Sequence, residues 1–117
     1  MEEIYNMPLF KKAYEFYKKL YEFRKIAPKQ DKYAIFEKSE NITLEILEGI
    51  LIANQSPKPE RITALKLVSV KLNMLRIFVR LMKDTRALDL KKYITLEEMI
   101  NEIGKMLGGW LRSLNQI

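Results

Sequence analysis

The chain has 117 residues, 48% of them hydrophobic and 31% charged, with a formal net charge of +6 and a pI of about 9.5, which fits one domain spanning 1–117 with a core of its own and a general affinity for anions. It holds no cysteine and no histidine, which excludes disulfides, thiolate or imidazole metal sites and Cys or His nucleophiles. Met1-Glu2-Glu3-Ile4 lacks the apolar stretch of a secretory leader, and no apolar run approaches the roughly 20 residues of a membrane span, so a soluble cytoplasmic protein without a membrane partner is expected.

Helical periodicity recurs in four segments separated by breaker clusters, and no stretch shows β-type alternation. The first helix is expected over about 6–26. Asn6 is the candidate cap, and Pro8 is tolerated in the first turn, where its missing N–H costs nothing. Leu9, Ala13, Phe16, Leu20 and Phe23 repeat at heptad spacing. Phe10, Tyr14, Tyr17 and Tyr21 form an aromatic stripe beside them, which reads either as a subunit contact or as a wider core face. Ala27-Pro28-Lys29-Gln30 breaks this helix.

The second helix is expected over 32–54, capped by Asp31. Ile35, Phe36, Ile42, Ile46, Leu47, Ile50 and Leu51 are its candidate core. Its polar face is acidic, with Glu37, Glu40, Glu45 and Glu48 against Lys38. Pro57 and Pro59 end it.

The third helix is expected over 60–83, with Leu65, Val68, Leu72, Leu75, Val79 and Met82 as its buried seam. Between Arg61 and Lys83 it carries six basic residues and no acidic one. Lys66, Ser69, Asn73, Arg76, Arg80 and Lys83 follow one another at steps of three and four, which is one stripe of an α-helix. Nearly all other positions are apolar. The helix is therefore expected to bury most of its circumference and to present a narrow cationic strip. Opposite charges at i,i+4 stabilise an ordinary solvated face, and here Lys66, Arg76 and Arg80 have no acid in the segment to pair with.

A polar connection is expected from Asp84 to Ile94. Thr95 and Glu98 match a capping box, T-x-x-E, which starts the fourth helix near residue 96 and ends it near 115. Its expected core is Leu96, Met99 or Ile100, Ile103, Met106 or Leu107, Trp110 and Leu114. Gly104, Gly108 and Gly109 interrupt it, each costing on the order of 1 kcal/mol against alanine. Close backbone approach of a neighbouring helix is the expected compensation, given the G-x-x-x-G spacing of Gly104 and Gly108. Four such helices with short connections read as an all-α, up-down-up-down bundle.

Catalysis finds little support. Di-iron bundles need Glu-x-x-His pairs, phosphate-cradling loops need glycines between strand and helix, and Glu97-Glu98 is explained by the macrodipole of a first helical turn. No catalytic residue, metal site or cofactor is expected. The strip on the third helix is the positive signal. It fits a polyanion held through its backbone phosphates, with Arg76 and Arg80 ahead of the lysines because arginine binds phosphate bidentately. It also fits an acidic protein surface, such as the second helix of a neighbouring copy, or a solvated face.

Two strings add a resemblance. Leu75-Arg-Ile-Phe-Val-Arg-Leu81 and Glu102-Ile-Gly-Lys-Met-Leu-Gly-Gly-Trp-Leu111 resemble the Avd proteins, the accessory variability determinants of diversity-generating retroelements. The wider group includes four-helix bundles encoded in intervening sequences of large-subunit rRNA genes, for which a structural role without nucleic acid is the alternative. The Avd resemblance implies a homopentameric, barrel-like ring with a positive surface. It implies binding to the retroelement's reverse transcriptase and to RNA or DNA in support of mutagenic cDNA synthesis. The paired arginines of that family match Arg76 and Arg80. Lys66, Asn73 and Lys83 extend the expected binding strip, and Gly104, Gly108, Gly109 and Trp110 would serve helix packing and the subunit interface.

Overall fold

Pro8 sets the first break in the chain. In the computed structural model, which describes residues 2–115, Met7 is extended (φ −70°, ψ 121°). The residue ahead of a proline clashes in the α region and is pushed out of it. The helix expected over 6–26 is therefore two, α1 (Glu2–Asn6) and α2 (Pro8–Lys25). Asn6 ends α1 and does not cap α2, while Pro8 does open the first turn of α2. Met1, Gln116 and Ile117, at the ends of the expected domain, lie outside the described residues.

The second helical run starts at Lys29, behind an extended Pro28, and Asp31 lies inside it without capping. A short α3 (Lys29–Asp31) passes through a π turn at Lys32–Phe36 into α4 (Glu37–Gln55). Phe36, Ile46 and Ile50 are buried as expected, while Ile35, Ile42, Leu47 and Leu51 are only half-buried. Ser39, Thr43 and Glu40 share the buried face. Ser39 and Thr43 donate to the carbonyls of Ile35 and Ser39 (2.7 and 2.8 Å), which satisfies their hydroxyls inside the helix.

Pro57 is the extended residue ahead of α5 (Lys58–Asp84), and Pro59 is absorbed into its first turn. The expected seam of α5 is the observed one. Arg86 takes a left-handed conformation (φ 63°) just past the end of α5, and the Leu88 N–H returns to the Met82 carbonyl (3.1 Å). The connection expected to run to Ile94 stops at Asp89, because α6 occupies Leu90–Asn115. The cap is Asp89, whose Oδ1 accepts from the Lys92 N–H (2.8 Å). The expected capping box is not one. Thr95 sits within the helix and donates to the Lys91 carbonyl (3.1 Å), and Glu97 and Glu98 lie beyond the first turn.

The Asp89 carboxyl is held below the usual range, first by its bond to the Lys92 ammonium and then by the Lys92 N–H. A depressed carboxylate contributes stability at neutral pH that is lost as pH falls through its folded pKa. Asp89→Ala is expected to lower the thermal midpoint by a few degrees at neutral pH, with the gap closing in acid. Melting curves at both pH values check this.

Four long helices close a cycle of contacts: α2 on α4, α4 on α5, α5 on α6, and α6 back on α2. Leu9, Ala13, Phe16, Leu20 and Phe23 of α2 meet the α5 seam and Leu96, Ile100, Ile103 and Leu107 of α6 in one apolar cluster. The tightest fit of a glycine between helices falls at Gly49, where an added Cβ would collide with the Val68 side chain of α5. Among the described residues no helix is long and apolar enough to cross a membrane.

Candidate functional site

The polar stripe of α5 does not stand alone in solvent. Ser69, Asn73, Arg76 and Arg80 lie along the seam with α6, which answers with Asn101, Lys105 and Arg112. Between the two helices runs a groove in two parts that share Arg76 and Asn101. The larger, of about 570 Å³, includes Ser69, Asn73, Lys105, Gly104, Gly108 and Arg112. The smaller, of about 260 Å³, includes Arg80, Tyr93 and Glu97.

Arg76 sits where the two parts meet. Its Nη1 donates to Asn101 Oδ1 (2.6 Å), and among the described residues it forms no ion pair. Gly104 makes room for it, since a Cβ there would stand 2.7 Å from Arg76 Nη2. The close backbone approach expected at the glycines is not what is found at Gly104, where the Leu72 side chain of α5 (3.7 Å) is the other neighbour. Gly104 accommodates a guanidinium, not a helix backbone. At Gly108 and Gly109 the nearest neighbour of an added Cβ is the Arg112 guanidinium (3.3 and 3.8 Å). The side chains missing from α6 leave open the floor of the groove. Trp110 packs against the core, half-buried, beside Met7, Pro8 and Leu9 of the α2 end, with the Arg61 guanidinium 5.9 Å from its ring.

The other cations of α5 divide. Arg80 is exposed and pairs with Asp84 one turn on (3.4 Å), so the expected absence of a local acid does not hold for it. An exposed pair of this kind contributes at most about 1 kcal/mol and yields readily to a stronger anion. Lys83 lies 3.9 Å from Asp84 and 4.9 Å from the Tyr93 ring, at the end of the strip. Lys66 is exposed, one turn beyond Ser69 and outside the groove lining. Lys71 bridges to Glu45 (2.9 Å), and Arg61 donates to the Ala53 carbonyl (2.8 Å) at the end of α4, so both are structural.

The groove is electrostatically uneven. Near Arg80 the Tyr93 hydroxyl donates to Glu97 Oε2, and that bond, with burial second, pushes the phenol above its usual range. Tyr93 therefore stays a neutral donor while Glu97 and Asp84 dilute the positive field. The larger part is lined by Arg76, Lys105 and Arg112 together with the amides of Asn73 and Asn101, and carries no carboxylate. Guanidinium, ammonium and amide donors on a glycine-open floor are the chemistry of an anion receptor.

Two expectations about the surroundings fail. The α5 helix does not bury most of its circumference: Leu67, Val70, Met74, Ile77 and Leu81, at steps of three and four, are each at least 41% exposed. The acidic face of α4 is not free as a set, because Glu40 is buried on Arg24 and Glu45 is taken by Lys71. Asn101, Lys105 and Arg112 escaped sequence reasoning. Their signal is a stripe at steps of four and seven on α6, readable only once α6 is known to face the Arg76 side of α5.

Against models of protein families, residues 7–114 match the one described as bAvd-like. Comparison with curated proteins finds no match.

Proposed function

Because the chain belongs to the bAvd-like family, we propose that it is a non-enzymatic accessory protein of a diversity-generating retroelement. It works in the cytoplasm as an up-down-up-down four-helix bundle assembled into a homopentameric ring. It holds the reverse transcriptase together with template RNA or cDNA and so supports mutagenic retrohoming. The observation that carries the nucleic-acid part is the carboxylate-free half of the α5–α6 groove, where Arg76, Lys105 and Arg112 gather around open glycine positions. Phosphate oxygens suit these donors, and base edges are not required. The exposed apolar ridge from Leu67 to Leu81 supports assembly, since a solvated helix has no reason to repeat large apolar side chains at helical spacing. Repeating one basic groove around a ring raises affinity for a polyanion with no new contact per subunit.

The adaptor role is tested by co-expressing the chain with the reverse transcriptase of its retroelement and measuring the native mass of what affinity capture recovers. A complex of polymerase with several copies of this chain is expected. A monomer that recovers no polymerase would contradict the reading and favour the rRNA intervening-sequence type of bundle.

A further inference from the structure

The outer face of α2 carries a second regular surface that shares no residue with the groove. Lys11, Tyr14, Lys18, Tyr21 and Lys25 follow one another at steps of three and four, and all five are exposed. Cation and aromatic ring alternate along about 21 Å of helix. The Lys25 ammonium lies 4.9 Å from the Tyr21 ring and the Lys18 ammonium 6.0 Å from the Tyr14 ring. The buried core of α2 is the separate stripe from Leu9 to Phe23. The Tyr14 ring also meets Tyr5 edge-on and Phe10 face-on (centroids 6.3 and 6.5 Å), while Tyr21 has no aromatic neighbour among the described residues. Tyr14 and Tyr21 are 45% and 49% exposed, and neither hydroxyl has a hydrogen-bond partner among the described residues. The nearby acids lie off the stripe: Glu15 reaches Lys18 (3.7 Å) and Glu22 reaches Lys19 (3.3 Å).

We infer that this stripe is a stacking platform for single-stranded nucleic acid, with bases on Tyr14 and Tyr21 and phosphates on Lys11, Lys18 and Lys25. The inference rests on the nucleic-acid reading of the chain given above. The pattern is complementary to a strand that alternates an anionic link with a flat, apolar face. A duplex hides those faces in its own stack and offers the tyrosines nothing. A second copy of α2 laid on the stripe would set lysine against lysine. The stripe and the groove then divide the work: the groove holds backbone of either form, and the stripe selects unpaired strand.

The test uses the full chain and two fluorescein-labelled RNAs of equal length, one single-stranded and one duplex. Wild type is expected to prefer the single strand. Tyr14→Ala/Tyr21→Ala is expected to lose about tenfold or more in single-strand affinity per ring, with duplex affinity unchanged. Tyr14→Phe/Tyr21→Phe keeps the rings and is expected to bind as wild type does. If the alanine variant binds single strand as wild type does while Arg76→Ala/Arg80→Ala loses binding, the platform is overturned and the groove stands. If wild type binds neither RNA at low salt, the groove reading falls and the platform with it. An alanine variant whose oligomeric mass drops would assign the stripe to a contact between copies and overturn the proposal.

Discussion

Replacing Arg24 with methionine is expected to destabilise the fold by about 3 kcal/mol at neutral pH, roughly 10 °C in melting temperature. The reason is the carboxylate it leaves behind. Glu40 is 4% exposed on the inner face of α4, and its Oε1 takes its partner from Arg24 Nη1 at 2.9 Å. Its Oε2 is buried with no hydrogen-bond partner among the described residues. Arg24 also donates through Nε to the Lys32 carbonyl (3.0 Å) in the π turn and lies 5.4 Å from the Tyr33 ring. One side chain thus ties the end of α2 to the entry of α4. Methionine matches its apolar stem and removes only the charge and the bonds.

The pH dependence follows with a definite sign. Burial raises the Glu40 carboxyl above its ordinary range, and Arg24 opposes this without cancelling it. A raised carboxylate favours the fold when protonated, so its contribution is fully present below the unfolded pKa and is lost as pH rises through the folded one. Removing Arg24 raises Glu40 further. The deficit of Arg24→Met against wild type is therefore expected to be largest at neutral pH and to shrink in acid. Adding Glu40→Gln to Arg24→Met is expected to recover much of the loss. Denaturant melts of the single and double variants at neutral and acid pH check this, and an equal deficit at both would reject the buried-charge explanation.

Arg76→Ala/Arg80→Ala is expected to weaken RNA binding by about a hundredfold with the fold retained. A charge-assisted bond contributes roughly 1.5–3 kcal/mol, and two such bonds multiply. The structural losses are small. Arg76 gives up one bond to Asn101, and Arg80 gives up an exposed pair with Asp84. Neither residue belongs to the apolar cluster. Lys66→Ala and Lys83→Ala are expected to matter less, since one lies outside the groove lining and the other is held between Asp84 and Tyr93.

The apolar seams were legible where a single period ran unbroken. On α2 and α5 every position of the heptad seam is buried, because nothing interrupts the period, although the apolar positions flanking the α5 seam are exposed. Boundaries failed where a local backbone term outweighed pattern. Pro8 forced Met7 extended and split one helix into two, and Asp89 took the capping role assigned to Thr95. On α4 the buried face includes Ser39, Glu40 and Thr43, which hydropathy places outside. What admits them is hydrogen bonding to the helix itself and to an arginine distant in sequence.

The candidate site was legible by half. The stripe containing Asn73, Arg76 and Arg80 is written in α5 alone, and the structure keeps it at the surface. Its partners Asn101, Lys105 and Arg112 required knowing which helix lies alongside. The glycines showed the largest gap between pattern and cause. Gly104 and Gly108 have the spacing of a helix-packing motif, yet their neighbours are the guanidiniums of Arg76 and Arg112. The tight helix contact is made at Gly49, an isolated glycine that no spacing rule singles out.

The measurement that bears most directly on the groove is the salt dependence of single-stranded RNA binding by wild type and Arg76→Ala/Arg80→Ala, with native mass recorded for both. Each phosphate contact removed from a single strand takes about 0.7 from the slope of log affinity against log salt. The variant is therefore expected to lose about 1.4 from the slope per groove engaged, with its oligomeric mass unchanged. An unchanged slope and affinity would contradict phosphate binding by the groove. A variant that falls apart into monomers would show instead that the two arginines hold copies of the chain together.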